Sequence, residues 1–368
     1  MKILHQKVLR RIRNAIKHDE FRKKFAILGF AGVAWAVLWA IGVTDFFYER
    51  DFSEFQWPPY VNVRDEVYRE ILGEPASVLY YNDWSKHKPV LTPNCTANRL
   101  TRRKSLLIIV KTAPYRLANR DAIRSTWGRY NQVQKFRVRT VFVMGQLSAK
   151  EEDSYGDVLA AEQKQFGDLL VGNFVDAYRN NTLKLLQSLQ FAHNHCKTGP
   201  VSYVLLVDDD YMVNLNNLVA EAEKHPPNER LYMGFRIDSS PFRLIFSKHR
   251  VSLRDYPYAV YPPYITAGAV FLTSQTVTEF YYAVQHMKIF PFDDIYASIL
   301  AYSLGIWPQN HDGFVMWNED PEDMNLNTII ASHGFSPKDL LKYGPIVNRN
   351  VGLGGEVAGT DVVVEISE

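Results

Sequence analysis

The chain has 368 residues, with 42 Lys and Arg against 40 Asp and Glu and a formal net charge of +2. That balance lacks the basic footprint of a nucleic-acid binder. The length suffices for one large domain or two small ones, with ample material for a core.

The N-terminal residues 1–24 carry Lys2, Lys7, Arg10, Arg11, Arg13, Lys17, Arg22, Lys23 and Lys24, and Phe25–Val43 then contains no charge. As a helix that apolar run covers roughly 28 Å, enough for a bilayer core. Asp45, Glu49 and Asp51 follow it. The positive-inside rule makes 1–24 a cytosolic tail and 25–43 a signal anchor, with the remainder across the membrane. The run is long for a signal-peptide h-region, and no small-residue cleavage site stands out. Residues 44–103 read as a lumenal stem, because Trp57-Pro-Pro-Tyr60 and Gly73-Glu-Pro75 interrupt any sustained period, although its aromatics are able to pack onto the domain. In an oxidising lumen the two cysteines, Cys95 and Cys196, suggest one disulfide. Asn94-Cys-Thr96 and Asn180-Asn-Thr182 are N-glycosylation sequons. Asn94 adjoins a cysteine that a bridge would bury, so Asn180 is the better candidate.

A regular alternation then begins. Ser105–Val110 is an uninterrupted apolar run and predicts a buried strand. A helix over 120–127, a strand over 138–144, a helix over 149–165 and a short strand over 168–171 follow. Thr182–His195 is amphipathic, with Leu185, Leu186, Leu189 and Ala192 on one face. A strand over 203–207 comes next, and two more are predicted over 231–235 and 265–272. Phe292-Asp-Asp294 opens a helical pattern that Gly305 terminates. Strands alternating with helices predict an α/β fold with a mainly parallel, doubly wound sheet. No P-loop is present, and the glycines at 352–359 follow no strand and open no helix.

The chemistry concentrates in acidic clusters. Asp208, Asp209 and Asp210 stand at the carboxyl end of the 203–207 strand, where open α/β sheets hold ligands. Like charges side by side favour a counter-ion, and hard oxygen ligands suit Mg²⁺ or Mn²⁺. A solvated acidic turn is the plainer reading. Asp293 and Asp294 form a second pair at a helix start, where a carboxylate also serves as a cap. Arg120 and Arg124 share a helix face, placed to clamp a diphosphate or to pair with carboxylates. His193, His195 and Cys196 fit no common zinc spacing.

Arg120-Asp-Ala-Ile-Arg-Ser-Thr-Trp127 resembles an element of the β-1,3-galactosyltransferase family of type II Golgi enzymes, which includes N-acetylglucosaminyltransferases and the Fringe proteins. Phe142-Val-Met-Gly145, Phe166-Gly-Asp-Leu-Leu170, Asp208-Asp-Asp210, Tyr261-Pro-Pro-Tyr264 and Phe292-Asp-Asp-Ile-Tyr296 follow in that family's order. The resemblance covers about residues 104–340; Asp293 replaces the usual Glu, and His249 follows Lys248 where Trp is usual.

The resemblance implies a GT-A nucleotide-diphospho-sugar transferase fold over 104–345, a tail over 346–368, and a Golgi membrane location with a lumenal catalytic domain. It implies an inverting, metal-dependent transfer of galactose from UDP-galactose to a glycan hydroxyl on a glycoprotein or glycolipid. N-acetylglucosamine or N-acetylgalactosamine is the alternative sugar, and a catalytically inactive chaperone or lectin-like binder is the alternative class. Asp210 would be the chief ligand of Mn²⁺ (or Mg²⁺), joined by His333 and Asp208. Asp208 and Asp209 would face the nucleotide, with Arg120 and Arg124 adding positive charge or ordering the loop. Asp294 would be the general base and Asp293 the helix cap beside the sugar pocket, which Lys248, Tyr261 and Tyr264 would shape.

Overall fold

The computed structural model describes residues 2–94, 104–194 and 201–351. Two compact units make up the chain, one of residues up to Phe55 with Ser239–Tyr261, the other of Gln56–Asp238 with the chain from Pro262 onward.

The first unit begins with α1 (Lys2–Ala40). The helix takes in the basic stretch as well as the apolar run, and ends before the expected boundary at Val43 because Gly42 adopts a left-handed φ of 87°. It is long and apolar enough to cross a membrane, and none of its apolar window is covered by protein. Ser239–Tyr261 folds against the residues that follow it. Ile245 N donates to Ile41 O at 3.2 Å, and Arg50 N to Pro257 O at 2.9 Å. The fully buried Arg243 pins this loop: its guanidinium bonds Glu49 Oε1 at 2.7 Å and the carbonyls of Val251, Tyr256 and Tyr258.

The second unit opens with residues expected to be stem. From Gln56 onward they form part of the compact body. Around α2 (Val63–Ile71), Trp57 Nε1 donates to Lys288 O at 2.7 Å, Asn82 Nδ2 reaches Val284 O at 2.6 Å, and Trp84 stacks on Tyr281 at 4.9 Å. The aromatic and amide side chains of this stretch find partners on the body, so it is not a free tether.

β1 (Ser105–Lys111) is buried along its whole length, as a central strand covered on both faces must be. α3 (Leu117–Ser125), β2 (Gln132–Val133), β3 (Phe136–Gln146), α4 (Ala149–Phe166), β4 (Leu169–Val175), α5 (Asn181–His193) and β5 (Tyr203–Asp208) follow. β4, β3, β1 and β5 are parallel, the doubly wound half that the alternation predicts. After β6 (Tyr211–Val213) and α6 (Leu215–Lys224), β7 (Tyr232–Ile237) and β8 (Tyr264–Thr273) depart from it. β8 runs antiparallel to both β5 and β7, so the sheet is mixed. α7 (Ser274–His286) and α8 (Asp293–Leu304) lead to β9 (Gln309–Asn310), which closes the sheet beside β7. β10 (Phe314–Val315) and β11 (Ala331–His333) join β6 in a small second sheet before α9 (Pro337–Val347).

A register slip and one close contact shape β8. The β7–β8 register slips between Gly234 and Arg236, whose partners are Val270 and Ile265, which bulges the Ala267–Ala269 segment of β8. An added Cβ at Gly268 would overlap the Tyr211 hydroxyl and come within 2.5 Å of its ring carbon Cζ. Gly268→Ala is expected to cost about 1–3 kcal/mol, as overpacking does. In a Tyr211→Ala background the same substitution should cost much less, so a double-mutant cycle of melting temperatures checks the contact.

Candidate active site

The parallel strands bring their carboxyl ends to one edge, and the acidic clusters collect there. Lys111, the last residue of β1, is the register partner of Asp208, the last residue of β5. Its Nζ lies 3.0 Å from Asp208 Oδ1, 2.8 Å from Asp293 Oδ2 and 2.7 Å from Ala267 O, the carbonyl in the β8 bulge. One buried ammonium therefore ties the aspartate triplet to the pair at the start of α8. Burial works to lower the Lys111 pKa, but the two carboxylates outweigh it, and the ammonium is held above its ordinary value.

The three aspartates of the triplet point three ways. Asp209 turns inward: its carboxylate accepts from Thr112 Oγ1 at 2.5 Å and lies 2.9 Å from Arg116 Nε. Asn119 Nδ2 donates to its carbonyl at 3.1 Å. Burial raises the Asp209 pKa while Thr112 and Arg116 oppose it. Asp210 faces a cleft of about 490 Å³ lined also by Tyr115, Arg116, Asn318, His333 and Ser336. Its carbonyl accepts from Gly334 N and Phe335 N, and the β6–β11 pairing sets His333 opposite Tyr211. His333 Nε2 is 3.6 Å from Asp210 Oδ2. Asp210 Oδ1 and His333 Nδ1 are buried atoms with no hydrogen-bond partner. Burial pushes Asp208 up to about 7; Lys111 pulls it down, and Asp293 and Asp210 add to the rise.

At the start of α8, Asp293 is the first helical residue, and the N-cap is Phe292, whose side chain makes no capping bond. The expected capping role of Asp293 is thus corrected: Lys111 takes its carboxylate, which is otherwise buried. Asp294 is half-buried, and its Oδ1 accepts from Ile295 N at 2.8 Å. Burial and the Asp293 carboxylate push its pKa up to about 7, against the Ile295 N–H and Lys111. A carboxyl that changes charge near neutrality suits proton transfer.

The galactosyltransferase family profile matches residues 118–312. The β-1,3-galactosyltransferase bre-5 of Caenorhabditis elegans is 34% identical over 305 residues, covering 83% of this chain and 88% of that one. The chain belongs to the galactosyltransferase family. The Drosophila melanogaster β-1,3-galactosyltransferase brn is 35% identical over 245 residues (64% and 72% of the two chains). Human UDP-GalNAc:β-1,3-N-acetylgalactosaminyltransferase 1 is 29% identical over 249 residues (67% and 75%). The solved galactosyltransferase LgtC overlays 68% of this chain and 98% of its own at 12% identity with a TM-score of 0.31, too low to carry an argument. Family membership makes the protein a glycosyltransferase, a hexosyltransferase of the β-1,3-linking group.

In this galactosyltransferase-family member both arginines pair with carboxylates. Arg120 is fully buried; Nε and Nη2 each bond Glu162 at 2.7 Å, and Nη1 bonds Ala113 O. Arg124 pairs with Glu162 at 2.6 Å and Asp168 at 2.9 Å, its guanidinium over the rings of Phe142 and Phe166. Of the two expected roles, pairing with carboxylates is the one observed, and Arg120 also holds the β1–α3 loop through the Ala113 and Pro114 carbonyls. The cation on the cleft is Arg116, and neither it nor Lys111 was singled out from the sequence. A lysine ending an otherwise apolar buried strand, at the sheet edge where ligands bind, was the available signal. Of the expected sugar-pocket residues, Asp293 and Tyr264 lie in the unit that holds the cleft. Lys248 and Tyr261 lie in the first unit, Lys248 exposed and Tyr261 buried 4.7 Å from Tyr256. Asn180 is half-buried with Nδ2 bonded to Val175 O at 2.8 Å, and its sequon Thr182 is buried on Phe290 O; Asn94 is the more exposed of the two asparagines. Cys95 and Cys196 lie outside the described residues, although the strands they precede are neighbours, with Ser105 Oγ 3.2 Å from Ser202 Oγ.

Removing the Arg120 guanidinium leaves Glu162 buried beside a single remaining arginine. Arg120→Met is expected to cost about 3–5 kcal/mol in a melting experiment. UDP affinity of the folded protein should stay near wild type; a large affinity loss at an unchanged melting temperature would restore the nucleotide-clamp role.

Proposed function

We propose that this protein transfers galactose from UDP-galactose to a hydroxyl of an acceptor glycan on a glycoprotein or glycolipid, forming a β-1,3 linkage with inversion. The observation that carries the reading is the pairing of two kinds of carboxylate at one sheet edge. Asp210 with His333 lines the open cleft, while Asp294 is held near its titration point. The donor assignment leans on the relatives named above, two of which are called galactosyltransferases.

Asp210 Oδ1 and His333 Nδ1 are buried without hydrogen-bond partners, and these two residues would hold a hard divalent cation, Mn²⁺ or Mg²⁺. Among the described residues no cluster of three such side chains could enclose an ion alone, so phosphates and water would complete its shell. Bound there, the ion would neutralise charge on the diphosphate leaving group. Asp208, tied to Lys111, stands between this half and the base. Asp294 accepts the proton of the acceptor hydroxyl as its oxygen bonds the anomeric carbon. The bond from that carbon to the diphosphate oxygen breaks on the opposite face, and UDP departs with the electron pair. The helix dipole at the start of α8 favours the charged form of Asp294, while its burial favours the neutral form.

For the localisation we propose a single-pass type II protein of the Golgi membrane with the catalytic unit in the lumen, a reading supported by the apolar α1 and the basic residues before its apolar run. Protease added to sealed vesicles is then expected to spare the catalytic unit until detergent is present. The assay of reaction is Mn²⁺-dependent UDP release from UDP-galactose, UDP-GalNAc and UDP-GlcNAc, with and without a panel of glycoside acceptors. Acceptor-dependent release from UDP-galactose is expected. Preference for UDP-GalNAc would move the protein to the N-acetylgalactosaminyl reading, and binding without release would make it an inactive lectin-like relative.

The two halves of the site separate by substitution. Asp210→Asn should weaken metal and UDP-sugar binding together. Asp294→Asn should keep UDP affinity and melting temperature and lose about 10²–10⁴-fold in turnover. In the native enzyme the base must be unprotonated, so kcat should fall as pH drops through about 7. A folded Asp294→Asn enzyme with near-normal turnover would remove Asp294 as base.

A further inference from the structure

The apolar tip of the Ser239–Tyr261 loop is explained neither by a core nor by the reaction. Leu244, Ile245 and Phe246 follow one another with their side chains exposed, Phe246 by 80%, and Phe242 is exposed beside them. Phe46 and Phe47, just past the end of α1, are exposed as well, Phe47 by 73%. Contiguous exposed apolar groups of this size mark an interaction surface.

The loop is held in place. Ile245 N bonds Ile41 O one residue beyond α1, and the loop backbone packs so closely on Gly42 that an added Cβ there would lie 2.5 Å from Arg243 O. Arg243 is fully buried, bonded to Glu49 and to three loop carbonyls. Arg250 Nε donates to Arg243 O at 3.0 Å, and Val251 N to Phe242 O at 2.8 Å, which closes the base of the loop. The ordering cost is met by these buried polar contacts, so the exposed tip does not arise from slack chain. Trp35 and Trp39 are exposed on the last turns of α1, aromatic residues of the type that sit at a membrane–water interface.

We propose that the loop tip, with Phe46 and Phe47, is a second membrane contact that lies in the headgroup and upper acyl zone where α1 leaves the bilayer. This rests on reading α1 as a membrane anchor. The partner is a lipid surface because the patch is continuous with the span: the apolar run Phe25–Val43 includes Ile41, whose carbonyl accepts from Ile245 N. Side chains buried at that depth gain apolar transfer energy, and a helix and loop anchored together restrict how the first unit can tilt.

The test uses the full chain in phosphatidylcholine vesicles, with p-benzoylphenylalanine replacing Phe246. The same photo-probe at Val33, within α1, reports the anchor, and at Leu79, which is 95% exposed in the other unit, reports water. Lipid adducts at Phe246 are expected about tenfold above those at Leu79, approaching those at Val33. Lipid adducts at Val33 with only the Leu79 level at Phe246 would overturn the loop contact and leave the anchor intact. A crosslinked dimer at Phe246 would show that a second copy covers the patch, also overturning it. No lipid adduct at Val33 would sink both readings.

Discussion

Everything at the active edge depends on one buried cation. Lys111 sits between Asp208 and Asp293, which come from the end of a parallel strand and the start of a helix some eighty residues apart in sequence. Three carboxylates in the triplet and two at α8 would repel one another in a partly buried space. The ammonium offsets that repulsion for two of them and fixes the distance between the strand edge and the helix. The β8 bulge adds the Ala267 carbonyl as a third partner, so the lysine uses all three donor protons. Asp209, Asp210 and Asp294 are left outside this pairing, and Asp210 and Asp294 are the two to which the proposed reaction gives a role.

The rest of the edge is built to keep that arrangement in place. Asp209 is spent on Thr112, Arg116 and, through its carbonyl, Asn119, so the triplet is anchored to the loop after β1. Arg120 and Arg124 hold the same loop from behind through Glu162 and Asp168. The small sheet of β6, β10 and β11 carries His333 back to Asp210. Asp208, Asp209 and Asp293 are thus each held by a side chain, whereas Asp210 is held through its carbonyl by Gly334 N and Phe335 N, and Asp294 Oδ1 accepts from Ile295 N.

Much of this was legible in the sequence. The apolar run of β1, the alternation through β5 and the acidic triplet at the strand end were readable because buried parallel strands carry an unbroken apolar signature. The antiparallel course of β8 was not, since an apolar strand reads alike in either direction. Spacing placed Arg120 and Arg124 on one face but could not say which face; Glu162, forty-two residues on, decides it. Asp293 reads as a cap because acidic residues open helices, yet Phe292 holds the cap position and the carboxylate goes to a lysine far off in sequence. Trp57, Asn82 and Trp84 show no period, and so the stretch reads as stem although it packs on the body. Long-range polar partners leave no local pattern, and that is where the reading fell short.

The most direct measurement is the pH dependence of the stability lost in Lys111→Met. Lys111 pulls the Asp208 carboxyl down against its burial, so without the ammonium that carboxyl rises further above the unfolded value of about 3.9, and Asp293 is left unpaired beside it. The folded variant then holds protons that the unfolded chain has released, so its stability falls as pH rises through the raised values. Compared with the native protein, the melting-temperature deficit of Lys111→Met should be smallest at about pH 4 and larger at about pH 8. An equal deficit at both pH values, or none, would contradict the role of Lys111 as the constraint on which the site depends.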